Sequence, residues 1–341
     1  MRTLAVRLDS LGDVIVTGPA VRALAAAGDT VTLLCGARGR AAGELLPGVQ
    51  RVLEWTAPWI DPEPMPVDPD GVAALCSTIA AERFDRALIF TSFHQSPLPT
   101  ALVLRLAGVP WIGAISVDYP GSLLDLRLTG VPDDIPEHER ALRLVRAAGY
   151  DLPAGDSGLP QVRCVPRSIE VAPPYIVLHP GTSVPARAWP AERFRATADL
   201  LTGLGHRVVV TGSAEEEPLT KYVADGVTGM VCDLGGRLDL TELAAVLAAA
   251  DCVVVGNTGP AHLAAASGTP VVSLFAPTVP AVRWAPYGAA VAVLGDQHAP
   301  CRDTRATTCP VPGHPCLASV TPDEVVDTVE RLCGHPRKES A

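Results

Sequence analysis

Short apolar runs alternate along this chain with longer stretches of helical spacing. Buried strands are predicted over residues 4–6, 30–35, 51–54, 86–91 and 111–115. Between them, 14–27, 71–83 and 99–107 read as helices, and 58–69 as a Pro-rich acidic loop holding Trp59. Residues 119–136 carry loop signals, and 137–149 then reads as a helix stopped by Gly149. On that helix Arg140, Arg143 and Arg146 recur at i, i+3 and i+6, a pattern usual for a solvated face. The sharper alternative is a surface for an anionic acceptor.

Residues 151–174 are rich in Pro, Gly and Ser and suit a linker. The alternation then restarts. Strands are predicted over 175–179, 207–211, 230–233, 252–255, 270–275 and 290–294. Helices are predicted over 190–204, 215–225, 240–250, 261–267 and 321–332, the last opened by Thr321-Pro322-Asp323-Glu324. Strand–helix alternation predicts an α/β fold with parallel sheets covered on both faces. With 341 residues, the chain exceeds the roughly 250–300 at which one core stops growing. Two Rossmann-like domains facing across a cleft are expected, over 1–165 and 166–334, with a disordered tail over 335–341.

Composition narrows the function. Hydrophobic residues make up 48% and charged residues 19%, enough for two packed cores. A formal net charge of -10 argues against nucleic acid as a partner, which demands a basic footprint. It also weakens binding to anionic lipid. The N-terminus enters a strand directly, without a targeting core, and no apolar run could span a membrane. A cytoplasmic protein whose nine Cys stay reduced is the expectation, with peripheral membrane contact as the other arrangement open to it.

Candidate chemistry collects at strand ends. The stretch Arg7-Leu8-Asp9-Ser10-Leu11-Gly12-Asp13 follows the first strand, where α/β sheets place their sites, and brings two carboxylates. His179-Pro180-Gly181-Thr182-Ser183 followed by Arg187-Ala188-Trp189-Pro190 offers freed amides, two hydroxyls and a guanidinium. That set suits a diphosphate, or else a turn capping a helix. Gly256-Asn257-Thr258-Gly259-Pro260-Ala261-His262 follows a buried strand, with Thr258 as N-cap and Pro260 at the first helical position. A helix start bearing a His is an anion site by its dipole, or a well-capped short helix. Thr211-Gly212-Ser213-Ala214 leads into Glu215, Glu216 and Glu217; one of these carboxylates suits ribose hydroxyls, the others a helix dipole. No dinucleotide fingerprint, Walker loop or nucleophile elbow occurs. His298, Cys301, Cys309, His314 and Cys316 match no standard zinc spacing and predict a reduced, Pro-stiffened loop. No metal site is expected.

In order and spacing, residues 7–20, 179–190 and 256–266 resemble glycosyltransferase family 9, the heptosyltransferases of lipopolysaccharide core assembly and their relatives. The resemblance implies a GT-B fold, with acceptor on the first domain and nucleotide sugar on the second. It implies an inverting, metal-independent transfer from an ADP-sugar such as ADP-heptose, which is a substrate, with no cofactor. Asp13 matches the family's general base. Thr182 and Ser183 match hydroxyls on the diphosphate, and Arg187 falls where the family typically has Lys. Glu215 matches the ribose carboxylate; Thr258, Gly259 and His262 match the diphosphate turn. Asn257 stands where many members carry Asp, and Asp9 where a small hydroxyl residue is frequent. The acceptor would be lipopolysaccharide core or a small metabolite. A non-catalytic sugar-nucleotide module and a UDP-sugar epimerase of GT-B type are the alternatives.

Overall fold

A computed structural model describes residues 1–164, 171–288 and 290–334. The chain divides into two compact units, Met1–Arg163 and Cys164–Ala341. The boundary expected at 165/166 and the tail expected over 335–341 lie outside the described residues.

The first unit runs β1 (Arg2–Arg7), α1 (Leu11–Ala26), β2 (Thr30–Cys35), α2 (Arg40–Leu45), β3 (Val49–Glu54), α3 (Pro69–Glu82), β4 (Arg86–Ile89), α4 (Leu98–Leu106), β5 (Ile112–Ile115), β6 (Leu126–Leu128) and α5 (Glu137–Ala147). Its strands form one parallel sheet ordered β3-β2-β1-β4-β5-β6. β1 is buried from Thr3 to Arg7 because helices cover both faces, so its sequence is apolar up to its last residue. Chain direction across the sheet reverses between β1 and β4, and crevices form at such points.

Two departures from the sequence pattern bear on the site. α1 begins at Leu11, three residues earlier than its apolar pattern indicates, with Ser10 as its N-cap. Asp13 is therefore in the first helical turn rather than in the preceding loop. Arg140 is buried, against the expectation of a solvated basic face. Residues three apart drift around a helix, so Arg140, Arg143 and Arg146 spread over about 120° of arc, and one end of that arc turns inward. Arg143 and Arg146 stay half-exposed and pair with Glu139 at 3.4 and 3.6 Å; Arg146 also pairs with Asp151 at 3.1 Å. β6 and α2 were not legible: β6 is Leu126-Arg127-Leu128 amid loop signals, with no apolar run, and six residues are too few for α2 to show a helical period.

The second unit repeats the plan: β7 (Ile176–His179), α6 (Ala191–Gly203), β8 (Val208–Val210), α7 (Glu217–Ala224), β9 (Val231–Asp233), α8 (Leu240–Ala248), β10 (Cys252–Gly256), α9 (Gly259–Ala266), β11 (Val271–Leu274), α10 (Ala281–Trp284), β12 (Val291–Leu294), α11 (Pro315–Ala318) and α12 (Pro322–Leu332). Its parallel sheet is ordered β12-β11-β10-β7-β8-β9, so the reversal lies between β10 and β7. Leu178, Val210, Val254 and Val272 pack against Phe194 and Leu201 of α6 and Val325 and Val329 of α12. Trp189 meets Phe194 edge-on at 4.9 Å. Thr321 caps α12 through a 3.2 Å bond from Glu324 N–H, with Pro322 in the first turn, as the sequence indicates. Pro190, by contrast, is the N-cap of α6 rather than its first residue. Among the described residues no helix is long and apolar enough to cross a membrane.

One buried carboxylate ties the ends of the first unit together. Asp29 accepts from Thr3 Oγ1 at 2.6 Å, from Tyr150 Oη at 2.7 Å and from the N-terminal ammonium at 3.2 Å. Hydrogen bonds to a charged partner contribute about 1.5–3 kcal/mol each. Tyr150→Phe removes one such donor with almost no change of shape, so urea denaturation should show a loss of about 1.5–3 kcal/mol. An unchanged midpoint would mean that water replaces the phenol at no cost.

Candidate active site

In the first unit the chemistry gathers where β1 and β4 end side by side. Arg7, the last residue of β1, is 2% exposed. Its Nη2 donates to Asp13 Oδ1 and to Ser92 Oγ, each at 2.8 Å, and its Nε is ion-paired with Asp9 Oδ2 at 2.8 Å. Glu137, at the start of α5, brings a third carboxylate to 3.8 Å from Nη1. Burial pulls the guanidinium's pKa down, but the charges of Asp9, Asp13 and Glu137 outweigh it and hold it above the ordinary value. Asp13 Oδ2 accepts from Ser10 Oγ at 2.7 Å and from Ser10 N–H at 3.3 Å. Asp9 Oδ1 accepts from the Gln95 amide. Burial, aided by the charge of Asp13, raises the Asp9 carboxyl above its usual range, with Arg7 opposing. Gly36, after β2, is required here: a Cβ at that position would lie 2.8 Å from the Leu8 carbonyl oxygen.

Ser92, Gln95 and Glu137 were not singled out from the sequence. Their signal is sheet order: only adjacency of β4 to β1 brings a loop some eighty residues away onto Asp9 and Arg7. Arg7 did leave a trace, as a lone charge ending a continuous apolar run.

In the second unit the loops after β7 and β10 flank the corresponding reversal. Thr182 is half-buried and Ser183 exposed. The Thr182 hydroxyl accepts from Val184 N–H at 3.3 Å and keeps its proton to donate. Arg187 closes a short 3-10 turn, Pro185–Arg187. The segment before α12 holds that turn: Thr307 O accepts from Ala186 N–H at 2.9 Å, and His314 Nε2 donates to Ala186 O at 3.0 Å. Asn257, at 5% exposure, follows β10, and its Nδ2 has no hydrogen-bond partner among the described residues. Thr258 has the extended backbone of an N-cap, but its side chain caps nothing. Gly259 takes the first helical position expected for Pro260, which moves to the second. Two consequences favour an anion: the helix start is not self-capped, and buried His262 stands in its first turn.

The carboxylates after β8 separate by burial. Glu215, which the sequence favours for ribose, is exposed. Glu216 instead folds back over the strand ends, accepting from Ser213 N–H at 2.8 Å. A Cβ at Gly181 would meet the Glu216 carboxylate at 2.1 Å. Only glycine at 181 lets that carboxylate lie beside the loop of Thr182 and Ser183. His179, at the end of β7, is buried and shares a 3.0 Å hydrogen bond with Thr211 Oγ1.

The Cys and His of the tail segment have structural surroundings. Cys301 and Cys316 lie in the core of the second unit, and Cys309 Sγ contacts Val311 O at 3.4 Å. Among the described residues, no group of three or more His, Cys, Asp or Glu is placed to hold a metal.

Two strand-end sites on two Rossmann-like sheets narrow the comparison with known proteins. The family model of glycosyltransferase family 9 (heptosyltransferase) matches residues 72–314. The chain belongs to glycosyltransferase family 9. It is 34% identical over 175 residues to lipopolysaccharide heptosyltransferase 1 of Pseudomonas aeruginosa, a match covering 50% of this chain and 48% of that one. The chain thus spans about half the length of that relative. Against lipopolysaccharide heptosyltransferase 1 of Salmonella typhimurium, identity is 29% over 304 residues, covering 82% and 90%. Two solved structures share its fold. One is the ADP-heptose lipopolysaccharide heptosyltransferase II of Escherichia coli, with TM-score 0.74, 20% identity and 98% of each chain covered. The other is the Escherichia coli heptosyltransferase WaaC with ADP, with TM-score 0.73, 22% identity and coverage of 97% and 100%. The fold class is therefore α/β of the GT-B type.

The burial of His179 has a pH signature. Loss of hydration pulls its pKa down to about 4, with the charge of Glu216 opposing. The unfolded value is about 6.5. Between those values the unfolded chain takes up a proton that the folded chain does not. Stability should fall as pH drops from 6.5 toward 4 and level off below, by an amount on the order of 3 kcal/mol. Urea midpoints across this window, compared with His179→Gln, check this; a slope the substitution leaves unchanged would assign it elsewhere.

Proposed function

We propose that this chain transfers a heptosyl group from ADP-heptose to an acceptor hydroxyl of lipopolysaccharide core, with inversion and without a metal. Its relatives are named lipopolysaccharide heptosyltransferases, and one structural neighbour is described with ADP. The observation that carries the reading is a division of chemistry between two strand-end sites. One presents carboxylates, the other amides, hydroxyls and a guanidinium.

Inverting transfer calls for a base at the acceptor hydroxyl and for charge stabilisation on the leaving diphosphate. Asp13 is the base: its carboxylate keeps 14% exposure while its neighbour Arg7 is sealed. As the bond to the anomeric carbon breaks, negative charge grows on the diphosphate. Arg187, the Thr182 and Ser183 hydroxyls and the helix start at Thr258, Gly259 and His262 receive it. The Arg187 turn is held by Thr307 and His314, so little backbone reorganisation is needed there as the charge develops. Asn257, with a buried and unspent amide, donates to an oxygen of the donor. The ribose hydroxyls go to Glu216, whose carboxylate lies over the strand ends, in preference to exposed Glu215.

Asp13→Asn keeps size and removes the base. With ADP-heptose and a heptose-free core acceptor, product formation read by mass spectrometry should fall about 10²–10⁴-fold. Calorimetric affinity for ADP, and its preference over UDP, should be unchanged. Near-normal turnover in Asp13→Asn would sink the base assignment. Tighter binding of UDP than of ADP would sink the donor.

A further inference from the structure

Asp13 sits in the third position of α1, where a carboxylate ordinarily serves its own helix start. One of its oxygens does so, accepting from Ser10 Oγ and N–H. The other is drawn out of that role by Arg7 Nη2 at 2.8 Å. The guanidinium doing this is itself fixed from three separate parts of the unit. Ser92 Oγ holds Nη2 from the loop after β4, Asp9 holds Nε from the loop after β1, and Glu137 stands opposite Nη1 from α5. Asp9 is in turn held by Gln95.

We infer that Arg7 is a positioning residue for the transfer: its buried guanidinium orients the Asp13 carboxylate toward the acceptor hydroxyl. This rests on Asp13 being the base. Three carboxylates surround one cation, so the charges facing Asp13 do not balance. Asp9, Asp13 and Glu137 draw on one guanidinium, and Arg7 is the charge that offsets their mutual repulsion. At 2% exposure the opposition is little screened by water. The flat fork matters as well as the charge. Nη2 donates to both Asp13 and Ser92 from a rigid plane, whereas a Lys ammonium is a point charge on a flexible stem. A residue needed only for folding would be content with neutral packing here, since buried ion pairs are poor stabilisers on balance.

The test compares Arg7→Met, Arg7→Lys, Ser92→Ala and Asp13→Asn in the full chain, with saturating ADP-heptose and a heptose-free core acceptor. It reads kcat, acceptor KM, the acid limb of kcat/KM and calorimetric ADP affinity. Arg7→Met should lower kcat about 10²-fold and move the acid limb to higher pH, with ADP affinity unchanged. Arg7→Lys should return the limb toward the parent position while kcat stays low. Ser92→Ala, milder and safe for folding should Arg7→Met be insoluble, should lower kcat several-fold with a smaller limb shift in the same direction. Arg22→Met is the control, because Arg22 pairs with Asp156 at 2.7 Å from the same helix α1 and is also largely buried. It should lower the melting temperature and leave the limb in place. An acid limb that stays put in Ser92→Ala and in every soluble Arg7 variant, with kcat at the parent value, overturns the inference. If Asp13→Asn is inactive in that case, the base assignment survives it. Near-normal turnover in Asp13→Asn overturns both.

Discussion

Arg7 carries a full positive charge to the end of an apolar strand and is sealed there. Removing a guanidinium from water costs several kcal/mol unless charge and hydrogen bonds replace the solvent. Here Asp9, Asp13, Glu137 and Ser92 replace it, from the loop after β1, the first turn of α1, the start of α5 and the loop after β4. The requirement to neutralise one buried cation fixes the relative positions of four segments. That is also the set of segments around the candidate base. The same interaction thus closes the core at β1 and prepares the chemistry above it.

The second unit solves a different problem with the same sheet plan. An anion site needs donors without internal partners, and such donors are costly to bury. At the carboxyl end of β10, where strand order reverses, the Asn257 amide nitrogen is such a donor among the described residues. Glycine is used to bring opposing groups close rather than merely to turn the chain. Gly181 admits the Glu216 carboxylate, which a Cβ there would meet at 2.1 Å. The segment before α12 then supports the Arg187 turn through Thr307 and His314. Buried Cys301 and Cys316 contribute to the packing of that segment.

Much of this was legible in the residues. Strand–helix alternation gave the α/β class, and apolar runs located β2, β7 and β10 nearly to the residue. The loops of Thr182 and Asn257 showed themselves by following those runs. β6 escaped because Arg127 interrupts its apolar residues amid loop signals, and α2 because six residues are too few to show a helical period. Arg140 was misplaced because a run of like charges reads as a solvated face, whereas a helix that packs along one side buries whichever residue its rotation brings inward.

What the sequence determined by itself is local. Periodicity, capping residues and glycine positions depend on neighbours a few residues apart, so the strand ends and the residue types standing on them could be read directly. The tertiary structure decided the rest through sheet order. Placing β4 beside β1 delivers Ser92 and Gln95 to Arg7 and Asp9, and packing α5 on α1 delivers Glu137. Folding the turn after β8 back toward β7 brings the Glu216 carboxylate to Gly181 and leaves Glu215 exposed. Glu216 closes a capping box with Ser213, so part of its difference from Glu215 is local. Long-range packing, β8 beside β7, is what sets that turn against Gly181.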